Sequence, residues 1–160
     1  MSDDRHPPAE ATELEDAFPV SYSIFAMARS HRAIAAAGLA KLGLFANQEI
    51  TLIQLAASDG LSQKTLAQTL RVSHATVAKT VARLERSGLV ERRASELDRR
   101  ISLVFLTPAG RALHDKVIAV WRGLEELATS ELSSEEQRVY LRAVAKIRQS
   151  LEDREGTPAD

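Results

Sequence analysis

Apolar residues in this chain recur mostly at steps of three and four, the spacing of amphipathic helices. One such stripe runs from Pro19 to near Gly43 and contains Ile24, Ala28, His31, Ala35, Leu39 and Leu42. A second pattern opens at Asn47 and covers residues 48–57, until Asp59 and Gly60 interrupt it. The folded part of the chain is therefore predicted to begin with two helices.

The next segment predicts two short helices separated by a tight turn. Ser62 and Ser73 each precede a periodic run, and a serine hydroxyl at such a position caps a helix. The second run has its apolar side at Val77, Val81 and Leu84, and Gly88 supplies the left-handed backbone that ends the helix. This pattern is typical of a helix-turn-helix.

A hairpin and two long helices complete the predicted architecture. The hairpin has Asp98, Arg99 and Arg100 at its tip. Thr107 and Pro108 then begin a helix, and a capping box of Ser133 and Glu136 begins the last one. The predicted fold class is mainly α with a small two- to three-stranded β-wing: a winged helix-turn-helix flanked by N- and C-terminal dimerisation helices.

The flanking helices carry apolar stripes with little of the same chain left to cover them. A homodimer, formed about a two-fold axis, buries such stripes directly. We therefore predict dimerisation helices in residues 18–46 and 108–151 on either side of a DNA-binding lobe in residues 47–107. Residues 1–17 and 152–160 are rich in acidic residues and poor in apolar ones, which predicts flexible tails.

Charge is distributed unevenly along the chain. The whole chain has 21 Lys and Arg against 22 Asp and Glu. Residues 62–111 hold ten of the basic residues and only four of the acidic ones. A basic segment in an otherwise acidic chain is what phosphate binding by one face would produce. The second helix supports this interpretation, since its side opposite Val77 and Val81 holds Ala75, Ala78, Lys79, Ala82, Arg83 and Arg86.

Three motifs resemble the MarR family of ligand-responsive bacterial transcription regulators. They are the run from Ser73 to Val77, the run Leu84-Glu85-Arg86-Ser87-Gly88-Leu89-Val90, and Asp98-Arg99-Arg100 followed by Leu106-Thr107-Pro108-Ala109-Gly110. The last one is similar to the family's D-x-R wing and L-T-x-x-G entry to the next helix. The resemblance extends over roughly residues 18–151 and implies the same dimer of winged helix-turn-helix lobes.

Pattern, charge and resemblance together predict a set of contacts with double-stranded DNA. Arg100 at the hairpin tip is expected to enter a narrow minor groove, and Asp98 to pair with a neighbouring guanidinium and orient it. A structural alternative for the tip is an exposed salt bridge. The predicted contacts are Ser62, Lys64, Ser73, His74, Ala75, Thr76, Ala78, Lys79, Arg83, Arg86, Asp98, Arg99 and Arg100.

The predicted function is a sequence-specific DNA-binding transcriptional regulator, a ligand-responsive repressor that binds a pseudo-palindromic operator as a homodimer. The resemblance implies a small, anionic aromatic effector in a cleft between the dimer helices and the lobe, and no other cofactor. On the first long helix Phe25, Arg29 and Arg32 lie on one side, near His31. Solvated arginines or inter-subunit salt bridges are the alternative explanation for those cations.

Other functions fit the sequence less well. It has no glycine-rich phosphate loop, nucleophile elbow or HExxH helix, and it has no cysteine, which argues against an enzyme and against thiol-based sensing. A zinc-responsive regulator remains an alternative through His31, His114 and Asp115, although a hydrogen-bonded core position explains His31 better. A protein-interaction module of the same fold explains the basic segment poorly. No long apolar run or basic leader is present, which predicts a cytoplasmic protein without membrane contact.

Overall fold

The computed structural model of this protein describes residues 9–45 and 47–155. The described residues up to Trp121 form one compact unit, and those from Arg122 onward form a second. The helices are α1 (Ala9–Ala17), α2 (Pro19–Ala40), α3 (Gln48–Ala57), α4 (Gln63–Leu70), α5 (His74–Arg86), α6 (Pro108–Thr129) and α7 (Ser134–Glu155). The strands are β1 (Leu61–Ser62), β2 (Val90–Ala94) and β3 (Ser102–Leu106).

The helix boundaries follow the predicted capping residues. Helix α3 spans the predicted residues 48–57, and α4 and α5 begin directly after Ser62 and Ser73. The Ser62 hydroxyl accepts a hydrogen bond from the Thr65 N–H at 3.0 Å, and the Ser73 hydroxyl accepts one from the Thr76 N–H at 3.1 Å. Each cap satisfies a backbone donor that the first turn of a helix leaves without a partner.

The two chain ends differ from the sequence prediction. The predicted flexible tail at residues 1–17 contains α1 over its second half, while residues 1–8 lie outside the described part. Alanine, glutamate and leucine dominate the α1 sequence, and these residues favour a helix even where little packs against it. At the other end α7 continues to Glu155, four residues past the predicted boundary, and residues 156–160 are not described.

The three strands form one antiparallel sheet in the order β1-β3-β2. The register pairs Val90 with Leu106 and Ala94 with Ser102 across the hairpin, and Leu61 of β1 with Val104 on the other side. The core beneath the sheet and the helix-turn-helix is formed by fully buried side chains, which include Leu52, Leu55, Leu66, Val81, Leu84 and Val104. Because β1 pairs with β3 and is followed directly by α4, this short strand attaches the start of α4 to the hairpin.

The end of α5 is joined to the start of α6 by backbone hydrogen bonds. Gly88 has a φ of +70° and lets the chain turn sharply into Leu89. The Leu89 carbonyl accepts from the Thr107 N–H at 3.1 Å, and the Thr107 hydroxyl donates to the Gly88 carbonyl at 2.7 Å. The same hydroxyl accepts from the Gly110 N–H at 3.1 Å and so caps α6. This contact network gives the L-T-x-x-G motif a structural reason.

Asp59 connects the same region to the end of α3. One carboxylate oxygen accepts a hydrogen bond from the Leu106 N–H at 2.9 Å, and the other forms an ion pair with the Arg111 guanidinium. Because Leu106 ends β3 and Arg111 lies in the first turn of α6, one side chain links a helix, a strand and the next helix.

The second unit contains the end of α6 and all of α7. Glu136 accepts hydrogen bonds from the Ser133 hydroxyl and the Ser133 N–H at 2.6 and 2.8 Å, as the predicted capping box requires. These bonds stabilise the ionised carboxylate and hold the pKa of Glu136 below its usual value. Within the described residues, no helix is long and apolar enough to span a bilayer.

Gly110 provides a direct test of the junction between α5 and α6. A Cβ at this position would overlap the backbone carbonyl of Leu89, which cannot move without breaking its hydrogen bond to Thr107. We expect Gly110→Ala to lower the free energy of unfolding by about 1–3 kcal/mol, measured by urea denaturation.

Gly123→Ala is the matched control on the same helix. Among the described residues, a Cβ there meets no atom within 4 Å beyond the adjacent backbone of its own helix, and alanine is the better helix former by about 1 kcal/mol. The control should therefore be neutral or stabilising. Equal changes in the two variants would show that the Leu89 contact does not restrict position 110.

Candidate nucleic-acid interface

The outward side of α5 presents small and basic side chains next to each other. His74, Ala75, Lys79, Arg83 and Arg86 are exposed, while Ala78 is half-buried between them. The opposite side is anchored in the core by Val77, Thr80, Val81 and Leu84. Because alanine side chains are short, the wall of a DNA groove can approach the backbone of α5 between the cations.

The first turns of α4 and α5 place their polar residues by capping. Ser73 and Thr76 also share a hydrogen bond between their hydroxyls at 2.8 Å, and Ser62 and Thr65 do the same. Because these hydroxyls are engaged locally, the predicted contacts Ser62, Ser73 and Thr76 have a structural role in the free protein. His74, directly after the cap, and Lys64, in the first turn of α4, are exposed to solvent.

The wing tip contradicts the predicted role of Asp98. The Asp98 carboxylate accepts a hydrogen bond from the backbone N–H of Arg100 at 2.9 Å, and it forms no ion pair with a guanidinium within the described chain. The Asp98 carbonyl also accepts from the Ile101 N–H at 2.9 Å. An aspartate followed by a tight turn favours this local bond, because its short side chain reaches the backbone two residues ahead. Asp98 therefore fixes the backbone of the turn rather than a guanidinium.

Ion pairs divide nine of the ten basic residues in residues 62–111 into two sets, and Arg71 belongs to neither. Arg92, Arg93 and Arg111 are paired with Glu85, Glu91 and Asp59, respectively. Throughout the described ranges, no carboxylate pairs with the second set, which consists of Lys64, Lys79, Arg83, Arg86, Arg99 and Arg100. We call these six residues the open cations. They lie on α4, on α5 and at the wing tip, so the positive charge left uncompensated faces outward from these three elements.

One aromatic neighbour of the open cations was not predicted from the sequence. The Phe45 ring lies 6.0 Å from the guanidinium carbon of Arg83, and 67% of Phe45 is exposed. Phe45 belongs to no periodic pattern, since it lies in the link between α2 and α3, so only the tertiary structure brings it to α5. A ring at this distance attracts the cation and restricts where it points.

A concave surface between α4 and the start of α5 was also missed. It is lined by Lys64, Ala67, Gln68, Arg71, Val72 and His74. Lys64, Gln68 and Arg71 recur at steps of four and three along the outer side of α4 and its end, a periodicity that could have identified them. Lys64 and His74, which were predicted separately, thus lie on one continuous surface.

The predicted effector residues all lie on α2 and are exposed. The Arg29 guanidinium carbon lies 6.0 Å from the Phe25 ring, and the Arg32 Nε donates to the Ala28 carbonyl at 3.2 Å. The prediction of a hydrogen-bonded core position for His31 is wrong, because the residue is exposed and its ring lies 5.7 Å from Trp121. The reason is that Leu39 is the one buried residue of α2, so the side of this helix that carries His31 has no core to enter in the single chain.

Two buried polar atoms in the described residues lack a hydrogen-bond partner, Nε1 of Trp121 and Oε2 of Glu49. Burial disfavours the ionised carboxylate and raises the pKa of Glu49. His114 contacts the neighbouring Asp115 at 3.3 Å. In the described part of the chain, no three His, Asp or Glu side chains come together in a way that could hold a metal ion.

A helix-turn-helix with a three-stranded wing, and with open cations on both, defines the class of winged helix-turn-helix proteins. Residues 42–101 match the model of the MarR family. The chain is 31% identical over 134 residues to the HTH-type transcriptional repressor Rv2887 of Mycobacterium tuberculosis, an alignment that covers 84% of this chain and 96% of that protein. The chain belongs to the MarR family, and it is a DNA-binding transcriptional regulator, not an enzyme.

Solved structures give the same fold. The chain is similar to the S. aureus MepR-DNA complex with a TM-score of 0.73 and 27% identity, over 82% of this chain and 95% of that one. It is also similar to the transcriptional regulator SlyA with a TM-score of 0.75 and 20% identity, over 84% and 94% of the two chains. The predicted fold class is thereby confirmed.

Proposed function

We propose that this protein is a repressor that binds a pseudo-palindromic DNA operator as a homodimer and releases it in response to a small molecule. The observation that carries the proposal is the arrangement of the six open cations on α4, α5 and the wing tip. Two relatives support it by name, since Rv2887 is described as a repressor and MepR was solved as a complex with DNA. A regulator that acts on genomic DNA works in the cytoplasm.

Exposed apolar side chains support the homodimer. Phe18, Val20, Ile24, Met27 and Ile34 are exposed on α2 or immediately before it. On α7, Val139, Tyr140, Leu141, Val144 and Leu151 are exposed as well. Helical stripes of this length are stable in water when a second copy covers them. We propose that α2, α6 and α7 supply this interface, in agreement with dimerisation segments in residues 18–46 and 108–151.

Phosphate contacts and base contacts fall to different residues in this proposal. Lys79, Arg83 and Arg86 border the outward side of α5 and neutralise phosphates on either side of a major groove. His74, Ala75 and Ala78 lie nearer its middle and start, where side chains of a recognition helix meet base edges. The N-termini of α4 and α5 lie beside the sugar-phosphate backbone of the DNA in this proposal. They are positioned there by Ser62, Lys64, Ser73 and Thr76.

The wing adds a contact outside the major groove. Arg99 and Arg100 extend from a turn that Asp98 holds in place, and both guanidinium groups are free of carboxylates in the described chain. A guanidinium enters a narrow, A·T-rich minor groove favourably because the negative potential is deepest there. Arg100 is our choice for this insertion.

The proposed effector is a small anionic aromatic compound. Phe25, Arg29, His31 and Arg32 offer one aromatic ring, two permanent cations and an imidazole on the same helix, which suits a carboxylate or phenolate ligand. Because these side chains are exposed in the single chain, we propose that the second subunit completes the pocket.

The direct test of the proposed function joins size and binding measurements. We expect a dimer by light scattering at micromolar concentration, and a mobility shift with DNA from the upstream intergenic region. Footprints should show two inverted half-sites with centres about 10 bp apart, because a two-fold axis relates the recognition helices. A monomer, or protection of direct repeats only, contradicts the proposal.

Replacing Lys79 and replacing His74 should have different effects. Lys79→Ala should weaken binding to operator and random DNA alike, and lower the slope of log K against log salt by about one unit. His74→Ala should instead change which half-site sequence is preferred. Lys116→Ala, which removes an exposed lysine on α6, is the matched control and should leave both properties unchanged. An unaltered sequence preference in His74→Ala would assign His74 to the phosphate contacts.

Arg100→Ala should weaken the binding of operators with A·T-rich flanks by about 1–3 kcal/mol, and that of other operators less. The measurement is fluorescence anisotropy on two operators that differ only in their flanks. Arg100→Lys should recover little, since an ammonium is more strongly hydrated than a guanidinium. Asp98→Ala should give a smaller loss with the same dependence on the flanks, because it loosens the turn and keeps the charge. Equal losses on both operators would reduce Arg100 to a general phosphate contact.

A further inference from the structure

Leu97 is an apolar side chain that none of the described residues covers. It is 99% exposed, the highest value for a large hydrophobic residue in the described ranges. It lies at the wing tip, directly before Asp98, Arg99 and Arg100. The exposed apolar residues of α2 and α7 occur in stripes. At the wing tip, Leu97 lies between the acidic Glu96 and Asp98, and the other exposed large apolar residue of this turn is Ile101, at 45%.

Hydrogen bonds hold the backbone around Leu97 in one shape. The Ser95 N–H donates to the Ile101 carbonyl at 2.8 Å and closes the hairpin. The buried Ser95 accepts from the Leu97 N–H with its hydroxyl at 3.3 Å, and Asp98 accepts from the Arg100 N–H on the other side. These bonds fix the backbone of the turn, and Leu97 projects from it into solvent.

The charges around Leu97 indicate what can cover it. An apolar protein groove would have to desolvate Arg99 and Arg100 together with the leucine, at a cost that one side chain does not repay. A minor groove presents apolar deoxyribose walls between two rows of phosphates. It accepts the leucine and the two guanidinium groups at the same time, and apolar side chains are known to pack in minor grooves.

We propose that Leu97 is a DNA-contacting residue, which packs against the sugar walls of the minor groove beside Arg100. The inference rests on the proposed function and adds to it an apolar contribution to operator affinity. Because burial of apolar surface releases no counterions, this contribution is independent of salt, in contrast to that of the open cations.

The experiment measures operator affinity by fluorescence anisotropy across a series of salt concentrations. Leu97→Gln keeps the size of the side chain and removes its apolar character. We expect it to weaken binding about tenfold at every salt concentration, with an unchanged slope of log K against log salt. Leu97→Ile is the matched control and should bind within about twofold of the unmodified protein. Arg100→Ala provides the contrast, since it should lower the slope by about one unit.

The double variant Leu97→Gln/Arg100→Ala tests whether the two side chains share one groove. If they do, the combined loss should be smaller than the sum of the two single losses. Circular dichroism and light scattering of Leu97→Gln should match those of the unmodified dimer, because the side chain is 99% exposed among the described residues.

Three results would overturn the inference. Unchanged affinity in Leu97→Gln would leave the leucine outside the interface. A lower slope in that variant would mean that it disturbs the neighbouring arginines. A weaker dimer would assign Leu97 to the contact between subunits. If the unmodified dimer binds no DNA at all, the proposed function itself fails, and that result is distinct from the other three.

Discussion

The turn from Gly88 into Leu89 is the constraint on which the functional surface depends. The Leu89 carbonyl receives the Thr107 N–H, and the Thr107 hydroxyl bridges the Gly88 carbonyl and the Gly110 N–H. These bonds join the end of the recognition helix α5 to the start of α6, on either side of the hairpin. The two ends of the hairpin are therefore held next to each other, at Leu89 and Thr107. This backbone contact sets where the wing, and with it Arg100, lies relative to Lys79 on α5. Asp59 strengthens the same place by binding Leu106 and Arg111.

The net charge of this protein does not indicate a binding surface for DNA, whereas the distribution of its ion pairs does. The chain is nearly neutral as a whole, with a formal charge of −1. Glu85 and Asp59 each pair with an arginine of another element, whereas Glu91 pairs with Arg93 on its own strand. What remains is the set of open cations, and these occur on the elements that meet a duplex in a winged helix-turn-helix. The positions of three carboxylates therefore distinguish the paired arginines from those that we propose contact DNA.

In the proposed complex, the wing combines two kinds of contact that respond differently to solvent conditions. Arg99 and Arg100 carry long-range attraction, which salt screens. Leu97 carries a short-range apolar surface, which salt affects little. Both depend on a turn whose backbone is fixed by Ser95 and Asp98, so that little backbone freedom is lost when the tip is buried. A rigid, mixed tip of this kind suits a groove whose walls are apolar and whose rims are charged.

The sequence by itself determined the order and the ends of the main elements. Caps at Ser62, Ser73 and Thr107, the stop at Gly88 and the apolar periodicity of α5 are local signals, because each depends on residues within one or two turns. The same signals predicted which side of α5 faces outward and hence most of the candidate site. Helix α1 was missed because its residues favour a helix without showing an apolar stripe.

Only the tertiary structure decided the contacts between residues far apart in sequence. It placed Phe45 beside Arg83, brought Asp59 to Arg111, and left His31 at an exposed margin where the periodicity predicted a core position. It also showed that Asp98 binds backbone and that Leu97 projects uncovered from the wing. The reason is physical: periodicity reports which side of a helix is apolar, but burial and ion pairing depend on which other element lies against that side.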